Sequence, residues 1–130
     1  MLLALATLFA LAAAIVHGYI FYLEVVAFGT QAFRKTFHTQ PEHEPFLRAP
    51  FNNLGVYNLA LAVFTILGVA FRLSAHSPYG QGFALGLMMC ALGTMAVAGA
   101  YLFVTAADKR VPALVQMVPA ILGLICLGFA

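Results

Sequence analysis

MLLALATLFALAAAIVHGYIFYLEVVAF, residues 1–28, decides the fold. It holds no Lys or Arg, and its only ionisable side chains in the apolar run are His17 and Glu24. A helix needs roughly 20 predominantly apolar residues to cross about 30 Å of hydrocarbon, and this stretch exceeds that. Working outward, three more stretches qualify: Phe51–Phe71, Phe83–Thr105 and Val111–Ala130. The expectation is an all-α, polytopic integral membrane protein, a single domain over 1–130. Its spans are expected at about 1–28, 51–71, 83–105 and 111–130, in an antiparallel four-helix bundle.

Composition agrees. Hydrophobic residues make up 64% of the chain, against roughly 45–50% in a soluble domain. Charged residues make up 8%, where about 25% is usual. Six Lys/Arg and four Asp/Glu cannot cover a globule of 130 residues in water. The formal charge of +2 is too small for a nucleic-acid binder, which needs a dense basic footprint. Cys90 and Cys126 lie far apart and form no C-x-x-C pair, which argues against dithiol redox chemistry and a disulfide scaffold.

The separators are polar and rich in proline and glycine. Pro50 and Pro112 suit first helical turns, where a missing N–H costs nothing. Ala12-Ala13-Ala14 resembles a signal-peptide cleavage site. However, no basic residue precedes it and the apolar run continues to Phe28, so it reads as the first span. Arg34, Lys35, Arg48, Lys109 and Arg110 fall in loops 29–50 and 106–110, and only Arg72 falls on the other side. By the positive-inside rule both loops are expected in the cytoplasm, with both termini outside the cell membrane. Phe33 and Phe37 beside Arg34 and Lys35 suggest an amphipathic extension lying at the interface.

Polar residues in hydrocarbon are expensive, so their positions inform. An ionisable group at mid-bilayer costs about 2.5–3.5 kcal/mol even on the lenient insertion scale. His17 and Glu24 are seven apart and share one helix face, separated by about 10 Å along the axis. Glu24 is the only acid in any span, and desolvation disfavours its charged form, so it needs a partner. Asn52, Asn53, Tyr57 and Asn58 open the second span, Tyr101 and Thr105 close the third, and Gln116 opens the fourth. In the antiparallel order all of these fall in the cytoplasmic half, which implies a polar pocket opening that way. The bland alternatives are interhelical amide bonds worth about 1 kcal/mol each and a Glu24 that snorkels to the headgroups.

The third span is rich in small residues. Gly82-x-x-x-Gly86 and Ala96-x-x-x-Ala100 let helix backbones approach closely, and a homo-oligomer is expected. His38, Glu42, His43 and Glu44 in the first loop match no zinc spacing, and the chain has no phosphate loop or nucleophile triad. No metal or cofactor is expected. Cys90 and Cys126 read as small packing residues.

The run His17-Gly18-Tyr19-Ile20-Phe21-Tyr22-Leu23-Glu24, with Asn53-Leu54-Gly55-Val56-Tyr57-Asn58 and Val115 to Leu122, resembles a family of small four-helix membrane proteins known only as a domain of unknown function, number thirteen-oh-four. That resemblance implies the four-span fold and supplies no activity. Phe46-Leu47-Arg48-Ala49-Pro50-Phe51-Asn52 is more distantly similar to the membrane-associated eicosanoid and glutathione metabolism proteins, which implies a four-helix architecture, usually trimeric, with a cytoplasmic-side site. The helix-two glutamate of those proteins falls on Gly55 here.

Three functions compete. In the first, the pocket receives a lipid or small amphiphile, and the protein is a binder or membrane-embedded enzyme. Glu24 would then act as general acid or base, with His17 as a second proton-transfer or orienting group. Asn52, Asn53, Tyr57, Asn58, Tyr101 and Gln116 would hold the ligand. In the second, Glu24 serves a small proton-coupled transporter, although such sites usually lie near midplane. In the third, the protein is a structural or assembly partner without a ligand.

Overall fold

A chain in hydrocarbon must satisfy its backbone internally, which an α-helix does within one segment. The computed structural model describes residues 1–130 and is helical over nearly all of them, with no strand. Helix α1 (Leu2–Phe21) runs into a π-turn at Tyr22–Val26, where the Ala27 N–H donates to Tyr22 O at 2.8 Å. Gly29, at φ +78°, reverses the chain. Thr30 then caps a short α2 (Gln31–Phe37) by accepting from the Phe33 N–H at 3.3 Å. After a turn at Pro41–His43 come α3 (Glu44–Ser74), α4 (Pro78–Thr105) and α5 (Arg110–Gly128). The four long segments are apolar enough to cross a membrane, and the chain is a four-span membrane protein.

Two helices start earlier than the apolar runs suggest. Helix α3 begins at Glu44 rather than Phe51, so Pro50 lies inside it and not in its first turn. Pro45 takes the first turn instead, and Pro50 withholds the N–H that would have bonded the Phe46 carbonyl. Helix α4 begins at Pro78 rather than Phe83, because Ser77 Oγ accepts from the Gly80 N–H at 3.1 Å and caps it. Hydrophobicity marks the part of a helix that meets lipid, whereas a proline in the first turn marks where both of these helices begin.

The four long helices close a ring in the order α1, α3, α4, α5, each packed against two neighbours. The apolar core joins Ala6, Ala10 and Ala13 of α1 to Val69, Met88, Leu92, Met95 and Ala120 of the others. Small α1 residues let the larger α4 side chains fill the axis. Leu8, Ile15, Ile66, Val97 and Ile125 face outward, as lipid-facing residues should.

One end of the bundle carries both termini (the terminal end), and the other carries the basic loops (the loop end). At the loop end α2 folds beneath the bundle. Phe33 is fully buried, with its ring 4.5 Å from Phe28 and 4.9 Å from Phe51 between centroids. The expected interfacial extension is thus an aromatic cap, because Phe33 finds a ring partner on both α3 and the end of α1. Arg34 Nε donates to Glu44 Oε1 at 2.7 Å, and Lys109 Nζ donates to Thr36 O at 2.9 Å, clasping α2 on two sides. Beside Glu44 the Arg34 guanidinium is held still more firmly in its charged form.

Candidate functional site

Glu24 sits in the π-turn, 6% exposed, and points into the seam between α1 and α3. Gly55 makes this fit. A Cβ there would lie 3.2 Å from Glu24 Cβ and closer still to Val25, so only glycine lets α3 come this near. One turn along, Asn58 Nδ2 donates to Glu24 Oε2 at 2.9 Å and to Leu54 O at 3.1 Å. Two acceptors on one nitrogen fix the amide's orientation and use both its N–H groups. Glu24 Oε1 accepts nothing, and no cation pairs with the carboxylate. π-turns recur at functional positions because they splay side chains that a regular turn would hide.

A second polar level lies deeper. Asn58 and Glu24 are in contact, and seven residues toward the terminal end on each helix stand Thr65 and His17. Likewise Gly123 packs on Ala10, and seven residues from each toward the loop end stand Gln116 and His17. Antiparallel register thus sets His17, Thr65 and Gln116 at one height, about 10 Å from Glu24 at 1.5 Å per residue. All three are buried. His17 Nδ1 lies 3.0 Å from Ala13 O, and since a carbonyl only accepts, that nitrogen carries a proton. Thr65 Oγ1 donates to Leu61 O at 2.8 Å.

The expected residues separate into two groups. Glu24, Asn58, His17 and Gln116 face the interior, and Asn52 is half-buried with its Oδ1 enclosed and unpartnered. Asn53, Tyr57 and Tyr101 do not line an internal pocket. Tyr57 is 63% exposed and Tyr101 72%, and Asn53 is also outside. The inward stripe of α3 runs through Gly55, Asn58, Ala62, Thr65 and Val69, and Asn53 and Tyr57 fall off it. Tyr101 lies on the face of α4 opposite Met95 and Gly99. Thr65 escaped the sequence reading, yet its place seven residues beyond Asn58 was a readable signal.

Nor does the polar set open toward the loop end. Phe28 is four residues beyond Glu24 on its chain, and Phe51 seven before Asn58, so the aromatic cap covers the pair from below. Two concavities lie elsewhere. One, of about 620 Å³, follows the outer face of α4 from Met89 to Tyr101, and the other, of about 300 Å³, sits at the terminal end.

His17 and Glu24, expected to be about 10 Å apart, form no hydrogen bond with each other. What remains is a lone carboxylate with one free oxygen, held by an amide inside a four-span bundle. That defines a membrane protein with a buried carboxylate–amide pair. Residues 11–128 match the family model described as "Protein of unknown function (DUF1304)", and the chain belongs to that family. Among curated proteins and among solved structures, none matches the chain.

Proposed function

We propose that this chain is a membrane-embedded binding protein whose Glu24–Asn58 pair receives the polar head of a lipid or small amphiphile. The loop end is taken as cytoplasmic, from five cations there against one at the terminal end. The observation that carries the reading is the unsatisfied Glu24 Oε1 on a carboxylate without a cation. A free acceptor of this kind, on a side chain otherwise enclosed in the bundle, favours a ligand head that donates hydrogen bonds, an alcohol or an amine. With the aromatic cap beneath, the ligand is expected to arrive from the bilayer along α1 and α3. Binding is favoured over transport because the polar levels stop at His17. Beyond it the core is Ala6, Ala10, Ala13, Met88 and Leu92, which offers a polar solute no path.

The test uses the full chain in maltoside micelles, with sphingosine, monoolein and oleic acid as probes and native mass spectrometry as readout. Wild type is expected to retain sphingosine or monoolein in preference to oleic acid, whose carboxylate would face Glu24. Glu24→Gln should weaken that retention about tenfold, the worth of one hydrogen bond to a charged group. Equal retention of all three by both proteins would overturn the reading.

Self-association through α4 is a second proposal, favoured by one contrast. Positions 55, 68, 99 and 123 are glycines pressed against a neighbouring helix, whereas Gly86 and Gly93 share one stripe of α4 with nothing within 4 Å. Close helix contact in this fold runs through glycine, and this stripe lacks its partner.

A further inference from the structure

Independently of Glu24, the opposite end of the molecule poses a charge problem. Arg72, in the last turn of α3, is the only Lys or Arg there. Other cations are engaged: Arg34 with Glu44, Lys109 with Thr36, Arg48 over the Phe28 ring at 4.6 Å, and Arg110 over Phe103 at 5.4 Å. Lys35 is exposed. Arg72 is half-buried, yet it makes no hydrogen bond, ion pair or ring contact. The four acidic side chains, Glu24, Glu42, Glu44 and Asp108, all lie in the loop-end half. No acidic side chain can therefore reach it.

Arg72 borders the cleft of about 300 Å³ where α3, α4 and α5 end together. Gln81 stands on the same wall. Its Nε2 donates to Ala75 O at 3.3 Å and retains a second N–H. Leu85 and Leu127 form the apolar side, and Gly82 keeps the cleft open, since nothing lies within 4 Å of where its Cβ would be. The exposed Tyr79 and the edge-on Phe71–Phe83 pair, 5.7 Å between centroids, put this level at the membrane–water boundary.

We propose that this cleft binds the phosphate of a membrane phospholipid. The guanidinium fork matches two phosphate oxygens, and the free Gln81 N–H is placed to take a third. Leu85 and Leu127 then meet the glycerol and the first acyl carbons. That apolar wall selects a lipid over a free phosphate ion.

The delipidated full chain in maltoside is titrated with dioleoyl phosphatidylglycerol, with dioleoylglycerol, and with inorganic phosphate as competitor, again by native mass spectrometry. Wild type should bind phosphatidylglycerol and leave dioleoylglycerol, and Arg72→Gln should weaken the phospholipid about tenfold. Gly82→Leu fills the cleft with Arg72 intact and should weaken it comparably, and leucine is the better helix former, so folding is not at risk. Unchanged phosphatidylglycerol binding in either variant would overturn the proposal. So would displacement of the lipid by inorganic phosphate at low millimolar concentration, which would assign the cleft to the free ion.

Discussion

The two halves of the bundle solve opposite problems. Toward the terminal end the interior is Ala6, Ala10, Ala13, Met88, Leu92 and Ala120, with no polar side chain among them. Toward the loop end α1 opens into a π-turn, a carboxylate meets an amide, and α2 seals the base with Phe33. One half is filled by volume matching, small on α1 against large on α4. The other is organised around a group that hydrocarbon disfavours. The difference teaches that the volume-matched half can be disturbed without disturbing the carboxylate–amide pair of the other half.

The sharpest break comes from overfilling the first half. Ala10 is fully buried, so Ala10→Leu should destabilise the bundle by about 3 kcal/mol, read as thermal unfolding in detergent, the upper part of the usual range for overpacking. Its Glu24-dependent amphiphile binding, measured below the melting point, should survive. Gly55→Ala attacks the second half. The new methyl meets Glu24 Cβ and Val25, so α3 must retreat. Expected are about 1–2 kcal/mol of lost stability and loss of the Glu24-dependent retention. If Gly55→Ala lowered stability but left binding intact, the dependence of the Glu24 site on the close approach of α3 would fail. Gly93→Leu should do least to the monomer, since its Cβ position is open. It should nonetheless suppress oxidative crosslinking through the exposed Cys90 on the same helix, if α4 is where copies meet.

The four spans were legible because lipid imposes a composition that needs no partner to interpret. Glu24 was legible for the same reason, as an acid where acids are costly. Helical spacing alone could not tell which face of α3 turned inward. Asn53 and Tyr57 share a face, but the inward face was set by Gly55 closing on Glu24, a contact between residues 31 apart in sequence. The aromatic cap was half legible. Phe33 and Phe37 announced an amphipathic segment, and only the ring partners Phe28 and Phe51 decided that it would fold under the bundle and not along the headgroups. The helix starts at Glu44 and Pro78 were hidden in polar sequence, where a first-turn proline and, before Pro78, the Ser77 cap mark the start instead of hydrophobicity.

The π-turn at Tyr22–Val26 has one more consequence. A turn of that width accommodates a surplus residue, because five residues in it advance about as far around the axis as four in an α-helix. Deleting a single residue there would restore ordinary winding and leave Phe28 on the same side of the axis. The base would keep its plug, and the change would fall on Glu24, whose aim depends on the widened turn. A shortened sequence at this point would therefore belong to a molecule with the same scaffold and floor but a re-aimed carboxylate.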